Sequence, residues 1–179
     1  MILPDILAPD ILFSRDVKHS MLSGRFCVEA QNTSYEGELI FLSFYSGLSQ
    51  RIGFTPKQGL QLISAISEAN RYCQGQGSTA RPSWKSLSIG RKSIYLAQII
   101  AYYIFPNVIF KKEIPSSFEN GRVFIQVEEN FFGKIHLVFA LITGVSGIPK
   151  IHFPPAAISS FVEALEEALR RCERKNGRQ

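Results

Sequence analysis

Apolar and polar residues alternate along this chain in short runs, and the runs come twice in the same order. In one of them Val123, Ile125 and Val127 alternate with Arg122, Phe124, Gln126 and Glu128. A period of two predicts a strand with one buried and one exposed face. First strands are expected near Ile11–Val17 and Val108–Ile114, and second strands at Arg25–Gln31 and Arg122–Glu128. The third, Leu39–Tyr45 and Ile135–Leu141, are almost continuously apolar. They should be central, covered at least in part on both faces. In the fourth, Arg51–Thr55 and Lys150–Pro154, Ile52 and Phe54 point one way. Arg51 and Gly53 point the other, as do Lys150 and His152.

The period then changes to that of a helix. Over Pro56–Gln74 the apolar stripe is Leu62, Ile63, Ile66, Ala69 and Cys73. Over Pro155–Lys175 it is Ile158, Phe161, Val162, Leu165, Leu169 and Cys172. Proline suits a first helical turn, where its missing N–H would have no helical partner, and Thr55 is a good N-cap before Pro56. Arg170, Arg171, Arg174 and Lys175 suit the negative end of the second helix dipole.

Residue-by-residue comparison supports an internal duplication. Pro9 matches Pro106, Phe13 matches Phe110, Arg15 matches Lys112, and Asp16 matches Glu113. The same offset pairs Gly24 and Arg25 with Gly121 and Arg122. After a small slip, Gly37 pairs with Gly133. Then Arg51, Phe54 and Pro56 pair with Lys150, Phe153 and Pro155, and Cys73 pairs with Cys172. The expected fold class is α+β: two tandem ββββα repeats whose antiparallel sheets carry helices packed on one face, in a pseudo-twofold arrangement. Residues 1–74 form the first repeat, 75–97 a basic linker and 98–179 the second repeat. One repeat alone would bury a thin core, so the two should form one pseudo-dimeric unit. The run Ile94–Phe105 mixes strand formers (Ile99, Ile100, Tyr102) with helix formers (Ala97, Gln98, Ala101), and its element type stays open.

Charge adds a bias. The formal net charge is +5, which permits phosphate binding without demanding it. Between Glu68 and Glu113 there is no acidic residue, but Arg71, Arg81, Lys85, Arg91, Lys92, Lys111 and Lys112 occur there with Trp84, the sole tryptophan. Cations interleaved with an aromatic suit single-stranded nucleic acid, as do the 14 Phe and six Tyr of the chain. The three cysteines are too few and too far apart for a disulfide framework. The first residues carry Asp5 and Asp10 and make a poor signal peptide. The longest apolar stretch is broken by Gln98, Pro106 and Asn107. A cytoplasmic protein with no membrane partner is expected.

Catalytic and cofactor signatures are missing. His19, His136 and His152 lack metal-ligand spacing. Gly90-Arg-Lys-Ser93 resembles the tail of a phosphate loop, but Lys85 stands where its first glycine is needed. Gly75-Gln-Gly77 follows a helix rather than a strand, so it is no dinucleotide fingerprint. Glu128 and Glu129 read as a hairpin rim. No enzyme activity, metal or cofactor is expected.

Four strands, a proline-started helix and a second copy resemble the superfamily of single-stranded nucleic-acid-binding proteins that includes transcriptional positive cofactor four, Whirly and PUR proteins. The closest local likeness is Arg51-Ile-Gly-Phe-Thr-Pro56, repeated as Lys150-Ile-His-Phe-Pro-Pro155. The Whirly signature Lys-Gly-Lys-Ala-Ala-Leu is absent. The resemblance implies a binding protein of little sequence specificity that holds single-stranded DNA, or RNA, on its sheet surface, and it is compatible with homo-oligomers. It points to Arg15, Arg25, Arg51, Lys111, Lys112, Arg122, Lys134 and Lys150 for phosphate and to Tyr45 and Phe124 for bases. Trp84, Lys85, Arg91 and Lys92 join them from the basic segment. A protein-interaction or assembly module is the rival reading, supported by the apolar third strands and the Ile94–Phe105 run.

Overall fold

The computed structural model describes residues 10–19, 25–33, 37–46, 48–75, 88–104, 106–117, 121–130, 133–142 and 150–176. The first repeat contains β1 (Asp10–Val17), β2 (Arg25–Thr33), β3 (Gly37–Ser46), β4 (Leu48–Phe54) and α1 (Pro56–Gly75). Helix α2 (Ile89–Ile104) follows. The second repeat contains β5 (Asn107–Pro115), β6 (Arg122–Glu129), β7 (Ile135–Ile142), β8 (Lys150–Phe153) and α3 (Pro155–Asn176). Each set of four strands is an antiparallel sheet in sequence order. The α+β class and the doubled ββββα layout are as the sequence predicts. The open segment is resolved as helix, with the backbone N–H of Lys92 bonded to the Ser88 carbonyl at 2.9 Å in its first turn.

Strand register sharpens the duplication. β1 and β5 carry the same irregularity, between Ile11 and Phe13 and between Val108 and Phe110. The slip expected before the third strand does not occur. Ala30 faces Ile40 in one sheet, and Val127 faces Leu137 in the other. Ile40 therefore corresponds to Leu137, and Leu39 to His136. Gly37 and Gly133 both adopt a φ of 73°, a left-handed value that glycine tolerates best. They stand one register position apart. Matching them in sequence would shift the third strand by one residue and turn its buried side chains outward.

The inner face of the first sheet buries Phe26, Val28, Ala30, Ile40, Leu42, Phe44, Ile52 and Phe54. The second buries Val123, Ile125, Val127, Leu137, Phe139, Leu141, Ile151 and Phe153. The helices α1 and α3 pack on one another, and each reaches strands of the other repeat. Glu68 of α1 pairs with Lys112 of β5 at 2.8 Å, and Tyr72 lies against Phe110 with ring centroids 5.2 Å apart. Glu163 of α3 pairs with Arg15 of β1 at 3.7 Å.

Four phenylalanines join the halves. Phe161 of α3 has ring centroids 5.2 Å from Phe26 of the first sheet, and 4.9 and 5.0 Å from Phe139 and Phe153 of the second. All four are at most 1% exposed. Offset edge-to-face rings add attraction beyond the area they bury. Gly59 lets α1 come close to this centre: a Cβ there would stand 2.7 Å from Ile40 Cδ1 and 3.3 Å from Leu169 Cδ2.

The start of α1 is locked twice. Thr55 Oγ1 accepts the Gln58 N–H at 3.3 Å, while Gln58 Oε1 accepts the Thr55 N–H at 2.9 Å, a reciprocal capping box. The turn after β5 joins it: Ser117 Oγ donates to Gln58 Oε1, and Ser116 Oγ donates to the Gly53 carbonyl at 2.7 Å.

Phe161→Ala should lower unfolding free energy by about 3–5 kcal/mol, the range for a buried phenylalanine whose cavity cannot collapse. Denaturant titration followed by circular dichroism should show one transition at lower midpoint. Two separated transitions would show that the repeats fold independently and that the aromatic cluster does not couple them.

Candidate nucleic-acid interface

Each sheet turns its second face away from this core. On the first sheet that face carries Arg25, Cys27, Glu29 and Gln31 of β2, Leu39, Phe41, Ser43 and Tyr45 of β3, and Arg51 of β4. On the second it carries Lys111 of β5, Arg122, Phe124, Gln126 and Glu128 of β6, His136 and Val138 of β7, and Lys150 and His152 of β8. The centre of each outer face is closed to solvent. Leu39, Ser43 and Val138 are at most 1% exposed, and Phe41 is 8% exposed. Exposure is confined to the margins, where Arg25, Tyr45, Arg51, Lys111, Arg122 and Lys150 stand.

Two of the expected phosphate ligands lie on the opposite side. Arg15 stands across from Val28, and Lys112 across from Ile125, both inner-face positions. Beyond the shared register shift the strands alternate regularly, so Arg15 shares the inner side with Phe13 and Val17, and Lys112 shares it with Phe110 and Ile114. Both cations reach helix carboxylates instead, Glu163 and Glu68.

The remaining sheet cations are organised in pairs that follow the duplication. Arg25 bonds Asp16 at 2.5 Å, and Arg122 bonds Glu113 at 3.2 Å, with all four side chains 44–61% exposed. Arg51 bonds Glu29 at 3.2 Å, and Lys150 bonds Glu128 at 2.8 Å. Here the carboxylates are only 13% and 7% exposed. This difference decides which cation can leave its partner. An exposed pair is worth roughly 0–1 kcal/mol, so an incoming phosphate can replace Asp16 or Glu113 at little cost. A sequestered carboxylate stripped of its cation is expensive, so Arg51 and Lys150 are held in place.

Aromatic rings sit beneath cations on both faces. The Arg51 guanidinium carbon lies 3.8 Å from the Phe41 ring centroid, and Lys111 Nζ lies 4.3 Å from that of Phe124. Such cation–π contacts hold the charge at the face edge. Phe124 is half-buried and Tyr45 is exposed, so both keep ring surface in reach of a base. Lys134 is exposed at the β6–β7 turn, where its backbone N–H bonds Asn130 Oδ1 at 3.0 Å. Arg91 and Lys92 belong to α2 rather than to either sheet. Trp84 and Lys85 lie outside the described residues.

Several residues that sequence reading did not single out shape these faces. Glu29 and Gln31 on β2 are answered by Gln126 and Glu128 on β6, with acid and amide exchanged. Glu29 accepts bonds from Gln31, Ser43 and Arg51. On the second face Gln126 Oε1 and His136 Nδ1 are buried without a partner. His136 stands across from Glu128, and its ring centroid lies 6.2 Å from that of His152. Strand alternation alone could have placed Phe41 outward. The carboxylate partners required the register.

Among the described residues no group of three or more His, Cys, Asp or Glu is arranged to hold a metal ion. Burial pushes the Cys27 and Cys73 thiols up and Cys172 up to about 11, which disfavours the thiolate needed for nucleophilic attack. No described helix is long and apolar enough to cross a membrane.

Burial also pushes His136 and His152 below the ordinary histidine value of about 6.5, against the opposing pull of Glu128. Below that value the unfolded chain takes up more protons at these sites, so the folded state loses stability as pH falls. Thermal midpoints should drop between about pH 7 and pH 5. The double variant His136→Gln, His152→Gln should flatten that drop, and an unchanged profile would remove these histidines as its cause.

No protein-family model matches the chain, and no curated protein matches its sequence.

Proposed function

We propose that this chain is a non-enzymatic single-stranded nucleic-acid-binding protein of little sequence specificity, with the two repeats acting as a pseudo-twofold pair. The observation that carries the reading is the repeated, releasable cation at one margin of each outer face. Arg25 and Arg122 occupy equivalent positions and hold only exposed carboxylates. Each has an aromatic side chain on its own face, Tyr45 across from Arg25 on β3 and Phe124 two residues along β6 from Arg122. Phosphate would exchange with Asp16 and Glu113, releasing counterions, while bases stack on the exposed ring surfaces. Lys111 and Lys134 extend the positive margin of the second face. Arg51 and Lys150 hold the faces together from within.

A closed face centre suits this chemistry. Among the described residues it offers no exposed slot for reading base edges, and contact through phosphate and stacking is tolerant of sequence. Both DNA and RNA present these groups, so the nearest variant of the reading is an RNA-binding protein.

Fluorescence anisotropy with a labelled thymine oligonucleotide, an RNA of equal length and a duplex checks this reading. Single strands should bind more tightly than duplex, and binding should weaken steeply as salt rises. Arg25→Ala with Arg122→Ala should weaken binding by about tenfold or more and leave the fold intact. Arg51→Ala and Lys150→Ala should instead lower stability by about 1–3 kcal/mol each, because a sequestered carboxylate loses its partner. Oligonucleotide affinity unchanged in the Arg25, Arg122 double variant would place binding elsewhere. Absence of binding to all three nucleic acids would turn attention to the assembly-module reading.

A further inference from the structure

Helix α2 is the least accounted-for element of the molecule. Ile89 is 85% exposed, Ile94 62%, Ile100 52% and Leu96 51%. Only Lys92 and Ile99 among its described side chains are half-buried. At 3.6 residues per turn, Ile89, Leu96 and Ile100 fall within about 40° of one another around the helix axis. Ala97, Ala101 and Ile94 extend that arc to about 160°. Arg91 and Gln98 lie on the opposite side. The half-buried Lys92 and Ile99 both lie outside the apolar arc.

Charge narrows what could cover this arc. The helix contains Arg91 and Lys92 and no acidic residue, and none occurs anywhere from Ala69 to Lys112. A second copy would bring the same positive charge to the contact. An anionic occupant is complementary. Among its described side chains the exposed arc is aliphatic apart from Gly90 and Ser93, with no charged group to fix a register in a protein groove. A fluid surface needs no register. Helix α2 has 16 residues, a length of about 24 Å, shorter than the roughly 30 Å hydrocarbon core.

We propose that α2 is an interfacial anchor that lays its Ile89, Leu96 and Ile100 face into an anionic lipid surface. The helix lies on the bilayer rather than crossing it, with apolar side chains at the acyl boundary and the exposed Arg91 among the headgroups. The sequence leads to an expectation of no membrane partner, and the lack of a spanning helix among the described residues agrees with it; an interfacial helix is a separate case. It stands independently of the sheet faces.

Co-sedimentation of the full chain with vesicles tests it. Vesicles of phosphatidylcholine with about 30% phosphatidylserine should bind at least about tenfold more tightly than phosphatidylcholine alone. Leu96→Asp with Ile100→Asp should weaken that binding by about tenfold or more while the thermal midpoint holds, because neither side chain is in the core. Several results would overturn the proposal: no binding to the anionic vesicles, equal binding to both vesicle types, or a double variant that binds like its parent. A stable dimer in sedimentation equilibrium that the double variant dissociates would assign the arc to a second copy. Polyglutamate binding that depends on Leu96 and Ile100, in place of vesicle binding, would assign it to an acidic protein.

Discussion

The contact of Phe161 with rings from both sheets is the constraint on which the rest of the molecule depends. Neither sheet can bury its inner face with its own strands, and a single ββββα unit has few residues to spare for a core. The second repeat's helix therefore brings its largest side chain to a point where Phe26 of one sheet meets Phe139 and Phe153 of the other. Once that centre is closed, α1 and α3 must lie close together, and the absence of a side chain at Gly59 becomes necessary. The duplication is consequently not symmetric in detail. Leu62 holds in α1 the place that Phe161 holds in α3, so the aromatic weight lies on one side.

With the inner faces consumed, the outer faces take up the charge. Their ion pairs divide into two kinds by the solvent exposure of the acid rather than by the identity of the base. Glu29 and Glu128 are enclosed and oblige Arg51 and Lys150 to stay. Asp16 and Glu113 are open and make no such demand. A map of positive residues would treat all four cations alike. The second face also carries the unpaired Gln126 Oε1 and His136 Nδ1, whereas on the first face Glu29 accepts from Cys27, Gln31, Ser43 and Arg51.

Much of this layout was legible in the residues. Alternation located the strands, the prolines at 56 and 155 located the helix starts, and matched residues revealed the repeat. What stayed hidden depended on one-residue differences in register. Gly37 and Gly133 look like the same landmark, yet each marks only where its hairpin needs a left-handed residue, one position apart. Arg15 and Lys112 share a side with Phe13 and Phe110 and so meet the helices, and which side of the first strand is inward becomes known only with the register. Ion-pair partners such as Asp16 for Arg25 come from neighbouring strands, so they appear only after pairing is known. The α2 segment was ambiguous because isoleucine and tyrosine favour strands, while alanine and glutamine favour helix.

The link from Ser116 and Ser117 to Gly53 and Gln58 has a consequence for the order in which the molecule is made. A chain emerging from the ribosome exposes the first four strands and α1 well before residue 117 is available. Until then the N-terminus of α1 has its own capping box but not its outer brace, and the inner face of the first sheet has no Phe161 to cover it. The early half must wait, partly open, for the late half, and its contacts are distant in sequence, a topology that folds slowly. Truncated or stalled chains would therefore lack the ring that meets Phe26 on the inner face of the first sheet.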